Sequence, residues 1–256
     1  MTVLDDIILG VREDLNSRKA LTPNLEDAIA RTPKPIDALT KFIPGPLHVI
    51  AEVKRASPSK GNLAEIIDPV ALAKNYVAGG ATAISVLTEA RRFKGSMADF
   101  NSVRAAVGVP MLQKDFVVDR YQIEEGFING GNLFLLIVAA LNDEQLHGLF
   151  EYGQGLGMRA LVEVHDQKEL DRAKALNPSF IGVNSRNLKD LSVDFQTFEK
   201  LIPQIDSSII AVAESGIASR VETKRLEEIG AKAILVGETL VRSKDPIEMI
   251  RELRGI

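Results

Sequence analysis

Residues 48–61, with the sequence HVIAEVKRASPSKG, contain the pattern on which the fold prediction rests. The first six residues form an almost continuous apolar run, which is typical of a strand buried on both faces. Glu52 lies inside that run and Lys54 follows it, although burying such charges costs several kcal/mol unless they are paired or used. A structural ion pair at a strand end and a functional site both account for this pair of charges. The rest of the chain repeats the pattern, which favours a functional site.

Short apolar runs alternate with longer amphipathic runs after this stretch. The apolar runs predict eight strands, over residues 48–53, 82–87, 110–113, 132–138, 159–164, 179–183, 208–213 and 232–236. The amphipathic runs predict eight helices, over residues 68–79, 98–106, 119–129, 142–156, 166–175, 194–202, 219–229 and 245–253. Helices that connect successive strands require those strands to be parallel. Eight units of roughly 26 residues predict a (β/α)8 TIM barrel, because a doubly wound sheet usually stops at five or six strands.

Residues 1–46 precede the predicted barrel. Apolar residues at helical spacing predict a helix over 1–19, and prolines between 23 and 46 predict short helices separated by turns. We expect an N-terminal helical extension that packs on a barrel formed by 47–256. No stretch has the composition of a linker, so the sequence predicts one domain over 1–256.

Composition limits the classes of function. A net charge of -4 in 256 residues gives no electrostatic reason to expect a nucleic acid partner. The absence of cysteine excludes disulfides and thiolate nucleophiles, and the three histidines lack the spacing of metal ligands. The sequence has no secretory signal pattern and no apolar run near the ~18 residues of a membrane helix. We therefore expect a cytoplasmic protein that acts on a small molecule, with no membrane or nucleic acid partner. Its oligomeric state is left open, with a monomer slightly favoured.

Polar residues stand at the carboxyl ends of the predicted strands, where (β/α)8 barrels build their active sites. All strands except the fourth contribute to this set: Glu52, Lys54, Thr88, Glu89, Lys114, Asp115, Glu163, Asn184, Arg186, Asn187, Glu214, Ser215 and Glu238. Carboxylates and ammonium groups at one mouth suit general acid/base catalysis on a small molecule. Pairing with the glutamates can poise Lys54 or Lys114 as an acid.

The ends of predicted strands seven and eight indicate a phosphate site. In these barrels the loops after these two strands commonly hold a phosphate at a helix N-terminus. Ser215-Gly216 and Gly237 occupy the two loops, and glycine allows the backbone to approach an anion closely. We expect Ser57 and Lys54, from the first loop, to complete this site.

Several strings of this sequence together resemble a known family. They are, in order, IAEVKRASPSKG, LTE followed by FKGS, LQKDFVVDRYQI, LVEVH, IGVNSRNLKDL, VAESGI and LVGETLVRS. The chain from about His48 onward resembles the indole-3-glycerol phosphate synthase family of tryptophan biosynthesis, and the helical extension also suits that family. The resemblance implies a carbon–carbon carboxy-lyase that closes the indole ring of 1-(2-carboxyphenylamino)-1-deoxyribulose 5-phosphate. Carbon dioxide and water are lost, and neither a cofactor nor a metal is used.

The resemblance also implies residue roles. Lys114 matches the general acid that protonates the ketone during ring closure, and Glu163 matches the carboxylate that assists later proton transfers. Glu52 and Lys54 match the charged pair at the end of strand one. The resemblance does not decide which residue is the acid of the dehydration step. The remaining matches are Asn184 and Arg186 for positioning the substrate, Glu214 and Ser215 as a polar pair, Ser57, Gly216, Gly237 and Glu238 for phosphate, and Phe93, Phe116 and Leu188 for the anthranilate ring.

Two positions depart from the family pattern. Residues 130–134, GGNLF, stand where the family usually has a small-small-Asp-Ala sequence. Leu133 and Phe134 are bulkier than that pattern, so the packing around strand four is in question. Ser185 stands where the family more often has Asn. Neither departure removes a proposed acid, base or phosphate donor, so we expect activity to survive.

The sequence gives less support to two rival functions. Phosphoribosylanthranilate isomerase needs a cysteine base by family resemblance, and this chain has no cysteine. A catalytically silent barrel that serves as a binding subunit would be indicated by the loss of Lys114 or Glu163, and both are present.

Overall fold

The computed structural model describes residues 2–57, 61–62, 66, 68–187 and 191–256. Its centre is a closed barrel of eight parallel strands, in which each strand pairs with its neighbours in the chain and the eighth pairs with the first. The strands are β1 (His48–Val53), β2 (Ala83–Leu87), β3 (Met111–Lys114), β4 (Leu133–Ile137), β5 (Arg159–Val164), β6 (Phe180–Asn184), β7 (Ile210–Glu214) and β8 (Ala233–Val236). This architecture confirms the predicted (β/α)8 barrel.

Helices precede the barrel and follow its strands. The N-terminal helices are α1 (Val3–Leu21) and α2 (Glu26–Arg31). The later helices are α3 (Pro69–Ala78), α4 (Met97–Ala106), α5 (Arg120–Ile128), α6 (Asp143–Gly155), α7 (Gln167–Ala175), α8 (Gln196–Leu201), α9 (Arg220–Glu228), α10 (Glu238–Arg242) and α11 (Pro246–Arg254). The helical extension and the eight predicted helices are thus present.

A hairpin after β1 and a short helix after β8 were not predicted from the sequence. A hairpin pairs Ala56–Ser57 with Gly61–Asn62 in the loop after β1, and α10 is a short helix directly after β8. Neither element is long enough to show a hydrophobic period, which is the signal that located the others.

Capping side chains fix where most of the barrel helices begin. Seven helices, α3 to α7, α9 and α11, start after a residue whose side-chain oxygen accepts from a backbone N–H of the first turn: Asp68, Ser96, Asp119, Asn142, Asp166, Ser219 and Asp245. Such a cap stabilises a helix by about 1 kcal/mol. Helix α10 follows Gly237, which has no side chain to cap it. The backbone N–H groups of its first turn therefore donate to no capping side chain.

The inside of the barrel is filled in layers by alternate strands, as in other barrels of this class. One apolar layer comes from the odd-numbered strands and consists of Ile50, Leu112, Leu161 and Val212. Inward positions recur every second residue along a strand. The next inward residues of the same four strands, toward the mouth, are Glu52, Lys114, Glu163 and Glu214. The last layer of the core is therefore made of three carboxylates and one ammonium group.

The last residues of the N-terminal extension pack at the opposite end of the barrel. Phe42 packs edge-on against Phe180 of β6, with ring centroids 5.0 Å apart, and its ring centroid lies 5.1 Å from that of His48. The ring nitrogens of His48 contact Thr82 Oγ1 at 2.9 Å and the carbonyl of Ile43 at 2.8 Å. His48 thus joins the extension to β1 at the end remote from the mouth.

The unusual residues of β4 are accommodated by a glycine. Leu133 belongs to the interior of the barrel, whereas Phe134 points outward and is fully buried against the helices. A Cβ atom at Gly153 of α6 would overlap the ring of Phe134. The bulky phenylalanine and the glycine therefore fit together, and the packing around strand four is intact.

This fit predicts a change in stability. Gly153→Ala should destabilise the fold by about 1–3 kcal/mol, because the added methyl group overpacks against Phe134. Gly148→Ala on the same helix is the matched control, since a Cβ there meets no atom within 4 Å, and it should be neutral or stabilising by up to about 1 kcal/mol. Chemical denaturation of both variants measures the difference. Equal stabilities would contradict the packing described for Phe134.

Candidate active site

A cavity of about 870 Å³ opens at the carboxyl ends of the strands. Its floor is charged, one side is apolar, and another side is formed by the loops after β7 and β8. The sequence-predicted residues that line it are Glu52, Lys54, Phe93, Lys114, Asp115, Phe116, Glu163, Asn184, Arg186, Glu214, Ser215, Gly216, Gly237 and Glu238. Leu188 and the side chain of Ser57 lie outside the described residues. Three of the strand-end residues, Thr88, Glu89 and Asn187, are not among its lining residues.

Lys114 lies at the centre of the charged floor. Its Nζ is 2.8 Å from Glu163 Oε2 and 3.0 Å from Glu214 Oε2. The lysine side chain is 13% exposed and each carboxylate side chain 2%, so these contacts are shielded from water. Gly182 of β6 leaves space for Glu214, because a Cβ there would overlap Glu214 Oε1. One ammonium group is therefore shared by two buried carboxylates.

The shared lysine sets the charges of this layer. Burial alone would lower the pKa of Lys114, but the charges of Glu163, Glu214 and Glu52 outweigh it and raise that pKa. Burial also opposes ionisation of Glu163, yet Lys114 and His165 together lower its pKa. For Glu214, burial and the charge of Glu163 outweigh the attraction of Lys114 and raise the pKa. Lys114 is therefore protonated and Glu163 ionised at neutral pH, and Glu214 takes up a proton more readily than Glu163.

Glu52 and Lys54 form a second pair at the end of β1. Lys54 Nζ lies 2.6 Å from Glu52 Oε1, and both side chains line the cavity. A Cβ atom at Gly237 would come within 2.8 Å of Glu52 Oε1. Gly237 therefore gives Glu52 space, in addition to the phosphate role that the sequence predicts for it.

The apolar side of the cavity has two aromatic rings and one helix. Phe93 and Phe116 lie with ring centroids 5.8 Å apart. Helix α1 adds Val3, Leu4 and Ile7 to the same side. The sequence predicted helix α1 and the two phenylalanines, but it did not indicate that α1 reaches the mouth. This side of the cavity suits a flat apolar group.

Ion pairs connect α1 to the loop that carries Phe93. Arg91 in that loop contacts Glu13 at 2.7 Å and Asp14 at 2.6 Å, and Arg92 contacts Asp6. Isolated surface pairs contribute little, but a network of several pairs orients a helix better than any one of them. The network keeps the apolar face of α1 over the cavity.

Other polar residues at strand ends support the aromatic rings. Glu89 is buried, and its carboxylate accepts hydrogen bonds from the backbone N–H groups of Arg91, Arg92 and Phe93, at 2.7 to 3.1 Å. Thr88 donates to Asp115 at 2.7 Å, and Asp115 accepts from the N–H of Phe116 at 2.8 Å. These side chains fix the backbone at Phe93 and Phe116.

The loops after β7 and β8 form the third side. Ser215 and Gly216 both have left-handed backbones, with φ of 71° and 69°, a conformation that is uncommon for serine. The Ser185 hydroxyl donates to the carbonyl of Ser215 at 3.1 Å, which stabilises this turn. Thr239 Oγ1 donates to the carbonyl of Ile217 at 2.7 Å and joins the two loops. Ser185, a departure from the family pattern, therefore supports this side of the cavity.

The end of β6 completes the floor. Asn184 is 9% exposed, lines the cavity and accepts a hydrogen bond from the N–H of Arg186 at 3.0 Å. Arg186 Nη1 donates to the carbonyl of Leu191 at 3.0 Å. Asn184 and Arg186 thus line the cavity at the end of β6, beside the strand that carries Glu214.

Sequence reasoning missed one ionisable neighbour of the floor, His165. Its Nε2 lies 3.3 Å from Glu163 Oε1, and its Nδ1 lies 2.9 Å from Glu169 Oε2. A signal was present, because His165 follows Glu163 by two residues and so falls on the same side of the strand. The sequence indicated only a histidine without metal-ligand spacing. Among the described residues, no cluster of three or more His, Asp or Glu side chains is placed to hold a metal.

Comparison with known proteins identifies relatives that match nearly the whole chain. The family model for indole-3-glycerol phosphate synthase matches residues 4–253. An indole-3-glycerol phosphate synthase of a Nocardioides species is 50% identical, over 100% of this chain and 99% of that protein. One from Kineococcus radiotolerans is 51% identical over 99% of this chain and 95% of its own length, and one from Streptomyces griseus is 49% identical over the same shares.

A solved structure supports the fold. Thiamine phosphate pyrophosphorylase from Pyrococcus furiosus matches with a TM-score of 0.60 and 15% identity, over 82% of this chain and 94% of that chain. At this identity the likeness concerns the fold alone. Within the described part of the chain, no helix has the length and apolar character needed to cross a membrane. The match along nearly the whole sequence shows that this chain belongs to the indole-3-glycerol phosphate synthase family.

Proposed function

We propose that this enzyme converts 1-(2-carboxyphenylamino)-1-deoxyribulose 5-phosphate into indole-3-glycerol phosphate in the cavity at the barrel mouth. The observation that carries the proposal is the charged layer of Glu52, Lys114, Glu163 and Glu214, which lies between an apolar side and two glycine-containing loops. The substrate has the matching three parts: an anthranilate ring, a ketone that must be protonated, and a phosphate. The proposal places the enzyme in the cytoplasm and leaves its oligomeric state open, with a monomer slightly favoured.

Lys114 is the acid of ring closure. As the aromatic carbon that bears the carboxylate attacks the ketone carbon, the ketone oxygen acquires negative charge and takes a proton. An alkoxide is a much stronger base than an amine, so donation from Lys114 is favourable even though its pKa is raised. The raised pKa also keeps the lysine protonated before each turnover. The substrate oxygen replaces part of the pairing with Glu163 and Glu214 as the proton moves.

Glu163 assists the proton transfers after ring closure. Loss of carbon dioxide restores the aromatic ring, and loss of the new hydroxyl as water requires an acid and a base. Glu163 is ionised, lies 2.8 Å from Lys114 and lines the cavity, so it suits the base. The acid of dehydration is either Lys114 or Lys54, which lies at the cavity with Glu52.

The remaining residues bind and orient the substrate. Phe93 and Phe116 contact the anthranilate ring, with Leu188 as a further predicted contact. Asn184, Arg186 and Ser215 position the sugar. Ser57, Gly216, Gly237 and Glu238 bind phosphate, the last two at the uncapped start of α10.

The link between the two phosphate loops predicts an effect on binding. Thr239→Val removes the hydrogen bond to Ile217, which is worth about 0.5–1.5 kcal/mol. KM should rise by about 3–10-fold with little change in kcat, because the phosphate is bound alike in the ground and transition states. Thr40→Val, which loses a similar hydroxyl-to-carbonyl bond to Asp37, is the control and should leave KM unchanged. A fall in kcat with constant KM would contradict the phosphate role of this side.

Indole fluorescence tests the proposed function. Purified protein mixed with the carboxyphenylamino substrate should generate the fluorescence of indole-3-glycerol phosphate without added metal or cofactor. A folded protein that binds the substrate and generates no indole would be a silent barrel, and the proposal would be wrong.

A further inference from the structure

His165 is a buried ionisable side chain next to the charged floor, and the proposed mechanism does not use it. Its side chain is 12% exposed and lies between two carboxylates, Glu163 at 3.3 Å from Nε2 and Glu169 at 2.9 Å from Nδ1. Glu169 also accepts the backbone N–H of His165 at 2.8 Å. The ring is therefore fixed from the α7 side, with its other nitrogen directed toward Glu163.

The two contacts differ in kind. The Nδ1 contact is a hydrogen bond, whereas Nε2 is fully buried and its N–H is not aligned with Glu163 Oε1. The second contact is therefore mainly electrostatic, and its strength depends on whether the ring is charged. A neutral ring with its proton on Nδ1 would place a lone pair against a buried carboxylate, which is unfavourable.

The surroundings favour the charged ring. Burial would lower the pKa of His165, but the contacts with Glu163 and Glu169 outweigh it and raise that pKa to about 10. The strands on either side, β4 and β6, carry no titratable residue. Among the described residues, the charged groups in contact with the ring are Glu163 of β5 and Glu169 of α7, with Lys114 and Glu214 beyond Glu163.

We infer that His165 is a positioning residue of this enzyme, an imidazolium that holds Glu163 ionised and oriented on the side opposite Lys114. Lys114 can then leave its contact with Glu163 to protonate substrate without leaving that buried carboxylate unpaired. This inference rests on the proposed role of Glu163 as the base.

The pH dependence of kcat tests the inference. A cation lowers the pKa of a neighbouring carboxylate, so removing the cation raises that pKa and reduces the ionised fraction on the acid side. His165→Gln keeps an N–H donor near Glu163 but removes the charge. The acid limb of the pH profile of kcat should therefore shift to higher pH by about 1 unit or more. Above that limb kcat should recover toward the unmodified value, with KM little changed.

Two further variants complete this experiment. Glu169→Gln should move the acid limb in the same direction by less, because the ring stays but loses its second carboxylate. His147→Gln removes an exposed histidine that faces Glu151 in a similar pair, and it should change nothing. An acid limb in both site variants that superimposes on that of the unmodified enzyme would overturn the inference, as would a loss of kcat that is equal at every pH.

Nitrogen NMR of the ring gives a readout that is independent of activity. In the unmodified protein both ring nitrogens of His165 should remain protonated at pH 8, well above the ordinary histidine pKa of ~6.5. A neutral ring at pH 8 would overturn the inference even if ring closure is observed. An inactive protein with a charged ring would instead contradict the proposed function and leave the charge state of His165 as inferred.

Discussion

Replacing Lys114 with Met should lower kcat by about 10²–10⁴-fold, which is the usual contribution of a general acid. Met keeps the length and the apolar stem of the side chain but cannot donate a proton to the ketone oxygen. KM should change little, because the aromatic side and the phosphate loops are not altered. The measurement is steady-state kinetics by indole fluorescence, with a folding check by circular dichroism.

Stability has to be followed in the same variant. Removing Lys114 leaves Glu163 and Glu214 without their shared cation, and breaking a buried ion pair costs about 3–5 kcal/mol when the remaining charge stays. His165 still faces Glu163, and Glu214, whose pKa is already raised, can take up a proton. We therefore expect a folded but less stable protein at neutral pH.

A lysine at the other end of the barrel provides the control. Lys232 precedes β8 and contacts the carbonyl of Ser207, so Lys232→Met should leave kcat unchanged. If folded Lys114→Met has the kcat of the unmodified enzyme, Lys114 is not the acid and the role moves to Lys54.

Glu163→Gln should have an effect of similar size. The amide can still accept a hydrogen bond from Lys114, but it cannot take up a proton, so kcat should fall by about 10²–10⁴-fold with KM little changed. A second effect follows from charge. Losing the negative neighbour lowers the pKa of Lys114, so an alkaline limb should appear in kcat at lower pH than in the unmodified enzyme.

Glu151→Gln is the control for this change, because Glu151 faces His147 on the exposed side of α6 as Glu163 faces His165 in the cavity. It should leave both the rate and the pH profile unaltered. A Glu163→Gln enzyme with normal kcat at all pH values would exclude Glu163 as the base.

Alternation along each strand places the inward-pointing charged side chains of this barrel. In β5, Leu161 belongs to the apolar interior and Glu163 is the next inward residue, so the period of two alone places that carboxylate at the mouth. The same spacing separates Leu112 from Lys114 in β3. Local sequence was thus sufficient to predict which of these side chains point into the cavity.

Pairing between these side chains was not predictable. Lys114 contacts Glu163 and Glu214, which are 49 and 100 residues away in the chain. Glu52, Glu163, Glu214 and the two lysines were predicted to meet at one mouth. The sequence could not assign the shared carboxylates to Lys114 and Glu52 to Lys54. Those distances depend on the tilt and stagger of the closed barrel.

Periodicity and turn residues are local properties, so the alternation of strands and helices, the barrel class and the strand-end residues could all be predicted from the chain alone. Contacts between separate elements could not. The position of α1 along one side of the cavity and the fit of Phe134 against Gly153 emerge in the folded barrel. They arise because closing the barrel brings those side chains to within a few ångströms, a proximity that residue type and spacing do not encode.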